Sequence, residues 1–75
     1  MAESLGEHIK AIRTDLGWSK AKLARQAGIS QSVINDIEAG KNNNPRIKTL
    51  WKLGHATGVS LSDLLNIASL NKITR

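Results

Sequence analysis

The sequence predicts an all-α domain of five short helices, and three observations support this prediction. Apolar residues recur at intervals of three and four along most of the chain, which gives a helix one apolar face. These residues are mainly Leu, Ile and Ala, and the chain has two tryptophans but no Phe or Tyr. The β-rich, Gly/Pro-punctuated spacing of an all-β chain is missing. We therefore expect a compact fold built from helices alone.

Length and composition narrow the class of protein. We expect residues 1–75 to form a single domain, with a core at about 4–66 and a tail at 67–75. The net charge of +5 suits nucleic acid, anionic lipid or an acidic protein as partner, and also an ordinary soluble domain. There is no cysteine, and neither His8 nor His55 has a ligand pattern around it, so we expect no metal and no cofactor.

The chain also shows no sign of a membrane segment or a secretion signal. No apolar run approaches the ~20 residues of a spanning helix. The first residues lack the basic-then-apolar order of a signal peptide. We therefore expect a cytoplasmic location.

Helix 1 is predicted to begin at a capping box formed by Ser4 and Glu7. Gly17 ends it. The charge of Arg13 lies close to the inward face of this helix and needs a partner. The residues expected to face inward are Leu5, Ile9, Ile12 and Leu16.

The segment Lys20 to Ala39 predicts two helices joined by a tight turn. Gly28 can adopt the positive φ with which a helix stops, and Ser30 is a good N-cap for the next helix. Ala24 is small where the two helices would cross. The apolar positions are Leu23, Ala24 and Ala27 on helix 2, and Ile34 and Ile37 on helix 3. Together these features form the helix-turn-helix pattern, which indicates DNA binding.

A loop and a fourth helix follow. Gly40 ends helix 3, and Pro45 disfavours helix in the residue before it, so residues 41–46 are expected to form a loop. Helix 4 is predicted from about Ile47 to Thr57, with Gly54 marking a close approach of another helix. Its expected buried residues are Ile47, Leu50, Leu53 and part of Trp51.

The last predicted helix begins at Ser60 and Asp63, which are spaced as a capping box. Its inward residues are Leu61, Leu64, Leu65 and Ala68. Three apolar residues are left over, and we expect them to form a dimer contact: Ile67, Leu70 and Ile73. The alternative is a frayed tail with incidental apolar residues.

Several short motifs lie in register around the central turn: Ile12-Arg13, Leu16-Gly17-Trp18-Ser19, Ile37-Glu38-Ala39-Gly40-Lys41, Asn44-Pro45 and Gly58-Val59-Ser60-Leu61. With them, the chain resembles the lambda-repressor-like (XRE or Cro-type) helix-turn-helix family of phage and bacterial regulators, from about His8 to Leu65. The resemblance implies the compact five-helix fold of that family, with the helix-turn-helix at helices 2 and 3. It also implies a structural ion pair between Arg13 and Glu38, and a core position for Trp18.

The resemblance further implies that helix 3 enters the major groove of double-stranded DNA. Glutamine can bond adenine through two atoms, serine can serve several bases, and aspartate can accept from cytosine while repelling phosphate. The expected base contacts are Gln31, Ser32, Asn35, Asp36 and Val33. The alternative for this surface is the exposed polar face that most helices have.

Phosphate contacts are expected at the start of helix 2 and along the loop beside the DNA backbone. The residues are Ser19, Lys20, Lys41, Asn43, Asn44 and Arg46. The family commonly has glutamine in place of Lys20. Lysine suits the phosphate contact, but not the bracing of helix 3 that glutamine provides. The run of asparagines either weakens the positive charge of the loop or serves unusual backbone angles.

The predicted function is a sequence-specific transcriptional regulator, a repressor that binds a palindromic operator as a homodimer. Alternatives of the same fold are an antitoxin, with a toxin as partner, and a restriction–modification controller. RNA polymerase is a further candidate partner. A protein-interaction module without DNA belongs to a different class. No enzyme is expected, because no nucleophile–base arrangement, carboxylate pair or phosphate-cradling glycine loop is present.

Overall fold

The computed structural model describes residues 4–42 and 44–66, which form five helices and no strand. Asn43, Ala68 and the three tail residues Ile67, Leu70 and Ile73 lie outside the described residues, so their predicted roles stay predictions. The helices are α1 (Leu5–Asp15), α2 (Lys20–Ala27), α3 (Gln31–Glu38), α4 (Ile47–Thr57) and α5, described over 61–66. The predicted all-α, five-helix fold is confirmed.

Serine side chains start three of these helices. Ser4 Oγ accepts from the Glu7 N–H at 3.1 Å, and Glu7 Oε1 accepts in return from the Ser4 N–H at 3.2 Å. The predicted capping box of α1 is therefore present. Ser19 Oγ accepts from the N–H of the third helical residue of α2 at 3.0 Å, and Ser60 does the same for α5 at 3.2 Å.

Two helices end at a glycine in the left-handed region. Gly28 closes α2 with φ 71°, and Gly58 closes α4 with φ 82°. A side chain with a Cβ is strained in this conformation, which explains why glycine stands at both helix ends. The first of these two ends is the tight turn of the helix-turn-helix.

The core lies where α3 packs against both α1 and α2, and α2 also packs against α4. Trp18, Val33 and Leu61 pack against it while partly exposed. Its buried residues are Leu5, Ile9, Leu23, Ala24, Ala27, Ile34, Ile37, Leu50, Leu53 and Leu64. Helix α3 is thus held from two sides.

Two of the residues predicted to be buried are exposed. Leu16 is 42% exposed because it is the C-cap residue of α1, where the chain already turns toward Gly17 and helical spacing no longer sets the side-chain direction. Ile47 is 63% exposed. It opens α4 one turn before the first buried residue, Leu50, so it fits the spacing of the buried face but lies beyond the packed segment.

Two helical glycines mark close backbone approaches. A Cβ at Gly54 would lie 2.5 Å from the carbonyl oxygen of Val59 and 3.5 Å from Leu64 Cδ1 of α5, in agreement with the close helix approach predicted there. A Cβ at Gly6 would collide with the carbonyl oxygen of Ile37 and lie 3.1 Å from Glu38 Cα. The first turn of α1 therefore crosses the end of α3 with no room for a side chain.

Candidate nucleic-acid interface

Helix α3 separates its apolar and polar residues onto opposite sides. Ile34 and Ile37 are completely buried, and this fixes the orientation of the helix. The predicted base-contact residues that are exposed lie together on the other side: Gln31, Ser32, Asn35 and Asp36. Val33 differs from them, because it is only partly exposed and packs against the core.

The N-cap residue of α3 does not cap the helix with its side chain. Ser30 occupies the predicted N-cap position with extended backbone angles, but within the described part of the chain it makes no side-chain cap bond. Its hydroxyl instead lies 3.1 Å from the hydroxyl of Ser32. The Val33 N–H donates to the backbone carbonyl of Ser30 at 3.1 Å, so this end of α3 has a backbone hydrogen bond but, among the described residues, no side-chain cap.

The start of the 41–46 loop is fixed to α3. The backbone carbonyl of Asp36 accepts from the N–H of Lys41 at 2.9 Å and from that of Asn42 at 3.1 Å. These bonds place the Lys41 side chain, which is exposed, next to the end of the helix.

The rest of the loop is held by a local turn and a buried ring. Asn42 Oδ1 accepts from the Asn44 N–H at 3.1 Å, and Pro45 is buried. Asn44 and Arg46 are exposed. Neither Asn42 nor Asn44, the described asparagines of the loop, has a positive φ, so unusual backbone angles do not explain these two residues.

The start of α2 contributes a third part of the surface. Ser19 is exposed and Lys20 is partly exposed at the first turn, where backbone N–H groups and the helix dipole favour an anion. Lys22 is only partly exposed, and its ammonium group lies over the Trp18 ring, 5.5 Å from the ring centre. Trp18 itself packs against the core, which matches the structural role expected for it.

The predicted ion pair between Arg13 and Glu38 is present and links α1 to α3. Arg13 Nε donates to Glu38 Oε2 at 2.8 Å, and Arg13 Nη2 donates to Glu38 Oε1 at 3.1 Å. The side chains are 11% and 4% exposed. The hydrogen bond to Glu38 raises the pKa of the Arg13 guanidinium above its ordinary value, although burial opposes this.

Arg13 also makes a contact that the sequence did not predict. Its Nη1 donates to the backbone carbonyl of Trp18 at 2.9 Å. A single side chain on α1 therefore holds both the turn that precedes α2 and the last residue of α3. The position of a backbone carbonyl depends on the folded path of the chain, so no sequence pattern marks this contact.

The assembled site is a surface and not a pocket. The described residues contain no cavity and no cluster of His, Cys, Asp or Glu able to hold a metal ion. None of the described helices has the length and apolar character needed to cross a membrane. The arrangement can offer hydrogen-bond donors and acceptors on α3, flanked by cations at the start of α2 and in the 41–46 loop.

The fold and this surface define a helix-turn-helix domain. Its second helix, α3, packs on α2, is joined to it by a turn at Gly28, and exposes a polar side. The helix-turn-helix family profile matches residues 9–64. The chain belongs to this family, and it is of the XRE type expected from the sequence.

Solved and curated relatives agree. The chain is 36% identical to the N-terminal DNA binding domain of SinR from Bacillus subtilis, with a TM-score of 0.77 over 81% of this chain and 88% of that domain. It is 37% identical over 62 residues to the HTH-type transcriptional regulator SinR of Bacillus licheniformis, covering 83% of this chain and 56% of the relative. It is 33% identical over 69 residues to the immunity repressor protein of Bacillus phage phi105, covering 92% and 47%. The chain therefore spans about half the length of these curated relatives.

Proposed function

We propose that this chain is a DNA-binding transcriptional regulator that represses by occupying an operator. The observation that carries the proposal is the exposed polar side of α3, which two buried isoleucines on the opposite side hold in place. The similarity to regulators of this kind supports it, because the match to the DNA-binding domain of SinR includes the helix-turn-helix.

Base recognition falls to the N-terminal part of α3. Gln31 can donate to and accept from adenine in the major groove, and Ser32 beside it can serve several bases. Asn35 offers a second amide one turn on. Asp36 accepts from cytosine and repels phosphate, so it acts mainly against wrong sequences and wrong positions. Val33 can reach a thymine methyl group only with the exposed part of its side chain.

Phosphate contacts come from the two segments on either side of α3. Lys20 and Ser19 approach one stretch of backbone through the start of α2, and Lys41 and Arg46 approach another, together with Asn43 and Asn44. The bonds from the 41–46 loop to the Asp36 carbonyl support this division, since they couple a cation to the recognition helix.

The proposed assembly is a homodimer on a palindromic operator, formed by a single domain of residues 1–75 whose 67–75 tail provides the two-fold contact. Its two recognition helices would meet half-sites about 34 Å apart. Occupancy would exclude RNA polymerase from an overlapping promoter. We also propose that the protein is cytoplasmic and that it is not an enzyme.

A binding titration tests the proposal. The purified protein is added to the DNA upstream of its own gene, with excess random duplex as competitor, at two salt concentrations. We expect tight binding that resists the competitor and weakens steeply as salt is raised, because neutralised phosphates release counterions. Absence of binding at both salt concentrations, to this DNA and to a pool of random sequences, would overturn it.

A further inference from the structure

The solvent-facing side of α4 carries an apolar ridge that the proposed DNA contacts do not use. Ile47 is 63% exposed and Trp51 is 52% exposed, and they are two of the three large hydrophobic residues exposed in the described part of the chain. They lie one helical turn apart, so they share one side of the helix. We call this side the α4 face: Ile47, Lys48, Trp51, Lys52 and His55.

The α4 face is ordered by a ring contact. The rings of Trp51 and His55 are stacked, with centroids 5.1 Å apart and planes inclined by 5°. Three successive turns therefore present Ile47, Trp51 and His55 as a continuous ridge. Lys48 and Lys52 follow Ile47 and Trp51 by one residue each, which places them along the neighbouring edge of the ridge.

The charged residues of α4 and of α2, which packs against it, are all lysine or arginine. No Asp or Glu occurs anywhere from residue 39 to residue 62, a stretch that contains four Lys or Arg residues. Helix α2, which packs against α4, contains no acidic residue either. The charges of Lys48 and Lys52 are therefore not neutralised by α4 or by this neighbour.

We propose that the α4 face is a docking site for an acidic amphipathic segment of another protein. The ridge would receive apolar side chains spaced one helical turn apart, and the lysine edge would pair with carboxylates beside them. A half-exposed tryptophan next to positive charge suits this role, since Trp anchors are frequent where partners bind.

Two other occupants fit the same surface less well. A second copy of the chain, related by a two-fold axis, would set the α4 face against itself and bring like charges together. DNA would supply phosphates for the lysines but nothing apolar for Ile47 and Trp51. An acidic partner with apolar anchors satisfies both the ridge and the lysine edge.

The proposal is tested with three designed helical peptides of about 18 residues, a length at which isolated helices become stable enough to use. The first has Leu at positions i, i+4 and i+7 and Glu beside them. The second has Lys in place of each Glu, and the third has Ala in place of each Leu. Calorimetry gives the affinities, and chemical-shift changes on the ¹⁵N-labelled full chain locate the site. We expect only the first peptide to bind, with shifts centred on α4.

Variants of exposed residues separate the occupants. Trp51→Ser should weaken the acidic peptide about tenfold, as loss of an interface anchor does. The double variant Lys48→Glu/Lys52→Glu should lose the acidic peptide and gain the lysine peptide, which a merely structural role of these residues would not produce. Thermal unfolding of each variant confirms that the fold is kept.

The outcomes that would overturn the proposal are distinct from failure of DNA binding. The variant Lys20→Glu/Lys41→Glu should leave peptide affinity within about twofold at physiological salt, because screening limits distant charges. If it abolishes peptide binding instead, the peptide is a DNA mimic on the α3 surface. Concentration-dependent shifts of α4 without peptide would assign the α4 face to a second copy. Equal affinity for all three peptides would show that the α4 face is not a docking site for an acidic amphipathic segment.

Discussion

Arg13 is the residue at which α1, the turn before α2 and the end of α3 meet, and its loss should be costly. Arg13→Met leaves the carboxylate of Glu38 at 4% exposure without its partner. We expect a loss of about 3 kcal/mol in unfolding free energy, the order found when one member of a buried ion pair is removed. Urea denaturation measures it, with Arg25→Met on the exposed side of α2 as control. Equal effects of the two variants would contradict the coupling.

The pH dependence of this effect follows from the sign of the pKa change. The pKa of Arg13 is raised in the folded state, so its contribution is complete below the ordinary arginine pKa and is lost only above it. The loss measured for Arg13→Met should therefore be constant from neutral to moderately alkaline pH.

Gly6 is required by the crossing of α1 and α3. Gly6→Ala places a methyl group against the backbone of Ile37 and Glu38, which cannot yield as a side chain can. Although alanine favours helix, we expect a net destabilisation of about 1–3 kcal/mol, as for other overpacked sites. Thermal unfolding compares it with Lys10→Ala, an exposed position in the same helix. A variant as stable as the wild type would show that the crossing can relax.

Single residues were predictable where a chemical need is visible in the sequence. The resemblance supplied Glu38 as the partner of Arg13, and the structure contains that pair. Gly6 carries no such sign, since a glycine near the start of a helix does not reveal which backbone crosses it. The hydrogen bond from Arg13 to the Trp18 carbonyl has no sign in the sequence either, because a main-chain acceptor becomes a neighbour only when the helices are assembled.

The helix caps allow a direct comparison at the level of the elements. Ser19 accepts a cap bond from the Lys22 N–H, whereas Ser30 makes none within the described part of the chain. Ser19→Ala should therefore cost about 1 kcal/mol of stability and Ser30→Ala clearly less. Denaturant unfolding of the two variants gives the difference. A larger effect at Ser30 would mean that its hydroxyl caps α3 in solution.

The division of work between α3 and the 41–46 loop gives a second comparison. Gln31→Ala should reduce the preference for operator over random DNA by about tenfold or more, since one bidentate base contact is lost. Lys41→Ala should weaken both DNAs by the same factor. Competition titrations measure the two ratios. If the variants behave alike, the base and phosphate roles are not separated in this way.

Element boundaries followed from local chemistry more closely than burial did. Serine caps, glycine stops and Pro45 predicted the helices, and α4 spans Ile47 to Thr57 as expected. Burial at helix ends was less predictable, as Leu16 and Ile47 show. Helical spacing predicts on which side of the helix a residue lies. How far the core extends along that side depends on the lengths of the helices that pack against it.

The salt dependence of operator binding by the whole domain should be set by a small number of cationic side chains. Lys20, Lys41 and Arg46 give three proposed phosphate-binding charges per protomer, hence six in a dimer. The logarithm of the operator affinity should then fall against the logarithm of salt concentration with a slope of about −5. Affinities at several salt concentrations measure it. A slope near half that value would indicate that a single protomer makes the contacts.

The two tryptophans give this domain two optical reporters in unlike surroundings. With no Phe or Tyr in the chain, near-ultraviolet absorption and emission arise from Trp18 and Trp51. Trp18 packs against the core beside the ammonium group of Lys22, whereas about half of the Trp51 surface is exposed in the folded protein. The wavelength of maximum emission therefore reports the opening of the core during unfolding, because Trp18 then becomes exposed to water. Quenching by a dissolved agent follows the covering of α4 through Trp51, so folding and docking can be observed separately in the unlabelled protein.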